Sequence, residues 1–183
     1  MPFLPKQRAV LKPKTTVIVD YSSSSSYSSC SQVALVIAID SRADGNFEAQ
    51  ACSCSVSVGN LEPCVTTGII DQIRTAIENV VRNAIRHTKV NSEVEITVRK
   101  QGDPPNGAAV VGIRDHGPGV ADSDLQKIFQ PFYRASSNGS NSEGSGLGLA
   151  ITDRIARKHG GMVRAVNAPT GGLLVEPEFP LNA

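Results

Sequence analysis

Three glycines lead from a polar loop into a segment with the pattern of a helix. They are Gly144, Gly146 and Gly148, in the stretch GSGLGLAI. Glycine permits close approach to the backbone, and the start of a helix offers unpaired N–H groups and a positive dipole end, a combination that binds phosphate. The spacing is neither that of a Walker loop nor that of a Rossmann fingerprint, which follows a strand directly. A flexible loop without a ligand is the alternative.

An aspartate at the end of a predicted strand has a different chemistry. In RDHGPGV, Asp115 is followed by Gly117 and Gly119. A carboxylate only accepts hydrogen bonds, so it is suited to an exocyclic amine such as the N6 amino group of adenine. The Gly-Pro-Gly sequence is also typical of a plain turn, and the motif alone does not separate the two interpretations.

Two asparagines and an arginine share one side of a predicted helix. In ENVVRNAIRH, Asn79 and Asn83 are one turn apart and Arg86 follows. At about 100° per residue, all three lie roughly opposite the apolar stripe of the helix. A solvated face is the alternative, and Glu78 with Arg82 fits it as an ion pair one turn apart. Repeated asparagine does not fit it, because exposed helix positions favour Glu, Lys and Gln.

These groups must be positioned by a fold that mixes helices and strands. Apolar residues at helical spacing predict helices over about 69–88 and 147–160, and the segment 33–51 favours a further helix. Alternation predicts strands, among them 93–100, 108–115, 161–167 and 171–179. Strands that follow one another as hairpins indicate an α+β sandwich, with a mixed sheet and helices on one face.

The composition excludes several classes of partner. The 18 Lys and Arg against 17 Asp and Glu leave a net charge of +1, so no overall field favours nucleic acid or an anionic membrane. The longest apolar run, 33–39, is far shorter than the roughly 20 residues that cross a bilayer. The N-terminus lacks the apolar core of a signal peptide. Of the cysteines, only Cys52 and Cys54 are close, which favours free thiols in the cytoplasm over a zinc site.

Residues 1–32 differ in composition from the remainder of the chain. They begin with prolines and lysines and continue into YSSSSSYSSCS. A stretch with so little apolar surface is typical of a flexible segment. We therefore expect one domain, residues 33–183, which is long enough to bury a core.

The order of the motifs is more specific than any one of them. An asparagine-bearing helix, a strand with Asp-x-Gly-x-Gly, IFQPFYR, a polar loop and GSGLGL follow one another. This order resembles the ATP-binding catalytic domain of sensor histidine kinases, in the superfamily shared with gyrase, Hsp90 and mismatch-repair ATPases. The resemblance covers about 33–183 and is tight over 77–161. It implies a two-layer sandwich of the Bergerat type, whose sheet is mostly antiparallel.

The resemblance also implies roles for the residues of the asparagine helix. Asn79 and Asn83 would hold Mg²⁺ against the triphosphate of ATP, and amide oxygens are suited to such a hard cation. Arg86 would contact phosphate. His87 occupies a position often held by Tyr, beside the nucleotide.

The remaining motifs would complete the nucleotide site. Asp115 would accept from adenine in a pocket shaped by Gly117 and Gly119. Phe132, together with Phe129, matches the phenylalanine box that anchors a lid, although plain core packing is equally compatible. Arg134 would reach the γ-phosphate. The second glycine box would be formed by Gly144, Ser145, Gly146, Leu147 and Gly148.

One position within the asparagine motif bears on the reaction. In ATP-hydrolysing relatives such as gyrase, a Glu four residues before the Mg²⁺-binding Asn is the general base; here that position is Asn79. An amide accepts no proton usefully near neutral pH, and neighbouring Glu78 lies about 100° around the helix. The resemblance therefore implies a protein histidine kinase, with Asn79 and Arg134 at the reacting group.

The phosphate acceptor is expected on another domain. None of the chain's 3 histidines lies in a sequence like the family's acceptor motif, so the chain is either a fragment of a sensor kinase or a catalytic domain acting in trans. The partners implied are a dimerisation and phosphoacceptor domain and, indirectly, a response regulator, with no nucleic acid and no membrane contact. A serine kinase of the anti-sigma-factor type and a non-catalytic ATP-responsive module are the alternatives.

Overall fold

The computed structural model describes residues 54–135 and 145–182, together with the backbone of three short strands before them. Those strands are β1 (Val17–Ile18), β2 (Ser31–Leu35) and β3 (Ala38–Ile39). The later strands are β4 (Ser55–Leu61), β5 (Cys64–Gly68), β6 (Glu93–Gln101), β7 (Ala108–Arg114), β8 (Met162–Asn167) and β9 (Leu173–Pro180). The described helices are α1 (Ile70–His87) and α2 (Gly148–Lys158), with 3₁₀ turns at Asp122–Asp124 and Lys127–Phe129.

Five strands form one mixed sheet in the order β4-β6-β7-β9-β8. β4 and β6 are parallel, and the other neighbours are antiparallel. Alternate residues of β6 are buried on the inner face. The outer face carries ion pairs, with Arg99 and Glu176 3.0 Å apart and Arg164 and Glu178 3.1 Å apart. The predicted α+β sandwich with a mixed, mostly antiparallel sheet is confirmed.

The apolar stripe of α1 packs in the same buried core as the inner face of this sheet. Ile73, Ala76 and Ile77 have 0 % of their surface exposed. The same core contains Val94, Ile96, Val98, Val111, Ile113, Val175, Phe179 and, from α2, Leu149 and Ala156. Burial of apolar surface stabilises by about 25 cal/mol per Å², and it orients α1 with its polar side away from the sheet. Within the described chain, no helix is long and apolar enough to span a membrane.

The helix predicted for 33–51 is wrong where the structure describes that segment. Its first residues belong to β2 and β3, and β2 pairs antiparallel with β5 from Ser31↔Gly68 to Leu35↔Cys64. Pairing with another strand outweighs a weak helical propensity at β-branched residues. In the segment 1–32, β1 pairs with β3 and two residues begin β2. Residues 40–53 and the remainder of 1–32 lie outside the described chain.

Candidate functional site

A cavity of about 360 Å³ brings most of the predicted site residues together. Its lining includes Asn79, Asn83, Arg86, His87, Asp115, Gly119, Arg134, Ser145, Gly146, Leu147 and Gly148. Gly117 and Phe132 do not line it, and Gly144 lies outside the described residues. Four separate motifs of the sequence therefore meet at one cavity.

The cavity has two ends, set apart along α1. Asp115 lies near His87, the last residue of this helix. The turn that follows Asp115 packs, at Gly117, on the carbonyl of His87. The start of α2 lies against Asn79, eight residues earlier, which at 1.5 Å per residue is about 12 Å along the helix. We call the first the Asp115 end, formed by Asp115, Gly119 and Val120, and the second the Asn79 end, formed by Asn79 and residues 145–148.

At the Asp115 end, the carboxylate is fixed by backbone amides. Asp115 is 3 % exposed. Its Oδ1 accepts from the Gly117 N–H at 2.8 Å and from the Leu173 N–H at 3.1 Å. No described residue hydrogen-bonds its Oδ2. One oxygen thus holds the side chain in place while the other keeps its accepting capacity at the cavity.

Gly117 packs behind the Asp115 end, between that end and helix α1. A Cβ on Gly117 would lie 2.2 Å from the carbonyl oxygen of His87, a distance that no side chain tolerates. The His116 N–H also donates to Thr88 Oγ1 at 3.1 Å. The turn after Asp115 is therefore seated directly on the end of α1, which explains a glycine that shapes the site without lining it.

At the Asn79 end, one polar atom is buried without a partner. Asn79 Nδ2 is buried and makes no hydrogen bond in the described chain. A Cβ on Gly148 would lie 3.7 Å from Asn79 Cβ, which is ordinary contact. The hydroxyl of Thr152 lies 3.0 Å from the Ala76 carbonyl and 3.1 Å from that of Gly148, so it joins the two helices here. A buried polar atom without a partner calls for an explanation, and an absent ligand is one.

Arginines line the cavity between its ends. Besides Arg86 and Arg134, the lining includes Arg82. Arg82, whose spacing from Glu78 fits an ion pair on a solvated face, is a lining residue of the cavity. Arg82 follows Asn79 by three residues and so shares its face of the helix. Asp115 is the one carboxylate among the described lining residues, and this charge balance favours a polyanion.

His87 is partly buried among these charges. Burial lowers the pKa of its imidazole, the nearby Asp115 raises it, and Arg86 and Arg134 lower it further. The net direction is downward from the ordinary value of 6.5. His87 is therefore a neutral lining residue near neutral pH.

Comparison with protein families identifies the fold's relatives. Residues 68–183 match the family described as "Histidine kinase-, DNA gyrase B-, and HSP90-like ATPase". The chain belongs to this ATPase family. The resemblance drawn from the order of the motifs is thereby confirmed, and membership in the family implies ATP binding.

Individual relatives of this ATPase domain are sensor kinases. Sensor histidine kinase CpxA of Escherichia coli K12 is 36% identical over 137 residues, which are 74% of this chain and 29% of CpxA. Sensor histidine kinase component HK1 of Mycobacterium tuberculosis H37Rv is 40% identical over 110 residues, covering 60% of this chain and 61% of HK1. The solved structure of mycobacterial sensor histidine kinase MprB has a TM-score of 0.61 at 28% identity, covering 71% of this chain and 83% of that one. The chain spans less than a third of CpxA.

Several lining residues of the ATPase domain were not among the predicted site residues. They are Arg82, Pro118, Val120, Ile128, Tyr133, Ala135, Leu149, Ile151 and Leu173. Arg82 had a signal, its helical spacing from Asn79. Most of the others lie within the stretches RDHGPGV, IFQPFYR and GSGLGLAI, whereas Ala135 and Leu173 lie outside them and had no signal. Hydrogen bonding between Tyr133 and Asp124 lowers the pKa of that carboxyl and raises the pKa of the phenol.

Phe132 lies outside the cavity in a distinctive conformation. Its side chain is 73% exposed and its φ is 63°, in the left-handed region. Its N–H donates to the Gly146 carbonyl at 3.0 Å, so it links the segment after the 3₁₀ turns to the glycine loop. Phe129, by contrast, is partly buried against the core.

Proposed function

We propose that this chain binds Mg²⁺–ATP in the cavity and donates the γ-phosphoryl group to a histidine on a separate dimerisation and phosphoacceptor domain. The observation that carries the proposal is the Asp115 carboxylate, fixed through one oxygen by two backbone amides and open through the other. An acceptor fixed in this way is suited to the amino group of adenine. Membership in an ATPase family supports the same ligand.

The walls beside Asp115 are suited to a flat, largely apolar ring. Val120, Ile128 and Leu173 line the cavity, and all three belong to the apolar core or pack against it. Burial of a base against these walls is favourable, and the Asp115 carboxylate orients the base through a hydrogen bond. A guanine would present a carbonyl oxygen to this acceptor, so the site favours adenine.

The Asn79 end fits a magnesium–triphosphate group. The amide nitrogen of Asn79 has hydrogen-bonding capacity that the described residues leave unused. An amide has an oxygen that is suited to a cation and an NH₂ group that donates to a phosphate oxygen. Asn79 and Asn83 would hold Mg²⁺, which supplies positive charge that offsets the triphosphate. Arg86, Arg134 and the backbone of residues 145–148 would contact the phosphates.

The same residues favour transfer over hydrolysis. Among the described residues that line the cavity, the one carboxylate is Asp115, and it is held at the other end. Asn79 stands where the hydrolysing relatives place a glutamate base, and its amide does not deprotonate water. ATP held without a base for water keeps its γ-phosphoryl group for another acceptor. Arg134 and the magnesium would offset charge on that group during transfer.

The acceptor histidine comes from outside this domain. His116 Nδ1 lies 2.8 Å from the Glu93 carbonyl and its Nε2 3.3 Å from Glu95. His159 accepts from the Ile69 N–H at 3.0 Å, and His87 lines the nucleotide cavity itself. All of the chain's histidines thus have structural places. We therefore assign the acceptor to a dimerisation domain, in the same parent protein or in trans, from which a cytoplasmic response regulator would receive the phosphoryl group.

Phosphoryl transfer in trans tests this function. The chain is incubated with γ-labelled ATP and the separately prepared dimerisation domain of a related sensor kinase, with a His→Gln acceptor variant as control. We expect label on the wild-type acceptor alone, lost in acid and retained in base. Label that survives acid would indicate a serine kinase. ATP binding without any label on a set of such domains would leave an ATP-responsive module and contradict the kinase.

A further inference from the structure

The side chain of Asn167 holds the backbone of the turn that follows Asp115. Asn167 is the last residue of β8. Its Oδ1 accepts from the Val120 N–H at 3.0 Å, and its Nδ2 donates to the Val120 carbonyl at 2.7 Å. Nδ2 also donates to Asp122 Oδ1 at 3.0 Å. The amide therefore pairs with Val120 as a neighbouring strand would, and all of its donors are used.

The residues that Asn167 holds form a wall of the cavity, although Asn167 does not line it. Gly119 and Val120 are lining residues. Gly119 has a φ of 73°, and a Cβ there would lie 2.6 Å from Asn167 Oδ1. The Asn167 amide thus packs directly behind the wall. Any movement of this side chain moves the Gly119–Val120 backbone.

The same hairpin holds the Asp115 carboxylate. Asn167 on β8 is the register partner of Leu173 on β9. The Leu173 N–H donates to Asp115 Oδ1 at 3.1 Å, and the Leu173 carbonyl accepts from the Asp115 N–H at 3.0 Å. Two paired residues at the end of one hairpin therefore fix both the carboxylate and the wall beside it.

We propose that Asn167 is a positioning residue that sets the affinity of the Asp115 end for the adenosine part of ATP. The proposal rests on the proposed nucleotide function and deepens it. Asn167 acts through Gly119 and Val120 and has no contact with the cavity. The hydrogen bonds of its side chain go to Val120 and Asp122 and not to the Asn79 end, so we expect the phosphate contacts not to depend on it.

Competition binding separates this role from a general structural one. A fluorescent ATP analogue bound to the whole chain is displaced by adenosine and, separately, by inorganic tripolyphosphate with Mg²⁺. For Asn167→Ala we expect adenosine affinity to fall about three- to tenfold, as for the loss of one or two buried hydrogen bonds. Tripolyphosphate affinity should stay within about twofold of wild type. Asn60→Ala, an exposed asparagine on the edge strand β4, is the matched control and should change neither.

A second variant and an exchange measurement keep the test decisive if Asn167→Ala folds poorly. Asn167→Asp keeps the acceptor for the Val120 N–H but places a carboxylate against Asp122, and we expect the same selective loss. Hydrogen exchange at the Val120 amide should accelerate in both variants, while the amides of α1 stay protected.

Each failure has its own signature. Equal losses for adenosine and tripolyphosphate, or none for either, would contradict the positioning role. If neither adenosine nor ATP displaces the analogue from the wild-type chain, the nucleotide function itself fails, whatever the variants do.

Discussion

The two ends of the cavity are held in different ways, and the contrast separates recognition from chemistry. At the Asp115 end, two backbone amides hold the carboxylate, and the Asn167 amide holds the neighbouring turn. At the Asn79 end, the amide nitrogen of Asn79 is enclosed and without a partner in the described chain. One end is complete before a ligand arrives, whereas the other contains polar capacity that a ligand would satisfy.

This difference has a physical consequence for binding. A preformed acceptor requires little ordering when adenine arrives, so its bond contributes to affinity and selectivity. The Asn79 end gains its partners only with the ligand, so its contacts would be strongest when charge develops on the transferred group. Changes at the Asp115 end should therefore alter which nucleotide binds, and changes at the Asn79 end should alter the rate of transfer.

The largest effect is expected for Asn83→Ala, which removes a proposed magnesium-holding amide. Phosphoryl transfer to an acceptor domain should fall about 100- to 1000-fold, as when one stabilising group is removed from a transition state. Adenosine affinity should stay within about twofold, because the Asp115 end is untouched. An equal fall in adenosine affinity would show that the two ends are not separable.

A smaller effect is expected for Arg82→Ala, which tests how much the positive charge of Arg82 contributes to binding. Affinity for Mg²⁺–ATP should fall about fivefold at low salt, since Arg82 lines the cavity but is exposed. The loss should shrink as salt rises, because exposed charges are screened. Arg74→Ala is the matched control: Arg74 lies on the same helix, 3.0 Å from Asp71 and outside the cavity. A loss of the same size in both variants would contradict a role for Arg82.

The smallest effect concerns His87 and the pH dependence of stability. Its pKa is lowered in the folded chain, mainly by burial, so the unfolded chain binds the proton more tightly. The stability contribution is present above the ordinary pKa of about 6.5 and is lost as pH falls through the folded value. His87→Gln should therefore flatten the fall in melting temperature between about pH 7.5 and about pH 5.5. An unchanged pH profile would remove His87 as its source.

Local patterns were sufficient to predict much of the fold and the cavity. Helical spacing predicted α1 with its polar side bearing Asn79 and Asn83, and both residues line the cavity. Asp115 at the end of a strand and the glycine loop before α2 lie at the same cavity. These features depend on short stretches of chain, where residue type and spacing determine the geometry.

The remaining features depend on pairing across the chain. Asn167 and Val120 are 47 positions apart, and no local pattern indicates that one amide holds the other residue's backbone. Residues 33–35 of strand β2 were predicted as helix because the partner strand β5 lies well beyond them in sequence. Arg82 was considered only with Glu78, as an ion pair that would fit a solvated face, although the spacing that places Asn79 on the cavity side places Arg82 there too.

The most direct test of the account is nucleotide binding by Asp115→Asn. The variant keeps the size of the side chain. It replaces a carboxylate, which only accepts hydrogen bonds, with an amide, which also donates them. We predict that affinity for an ATP analogue falls about 10- to 100-fold, the cost of a mismatched buried hydrogen bond, with tripolyphosphate affinity unchanged. An ATP affinity equal to that of the wild type would contradict adenine recognition by Asp115, and with it the assignment of the two ends.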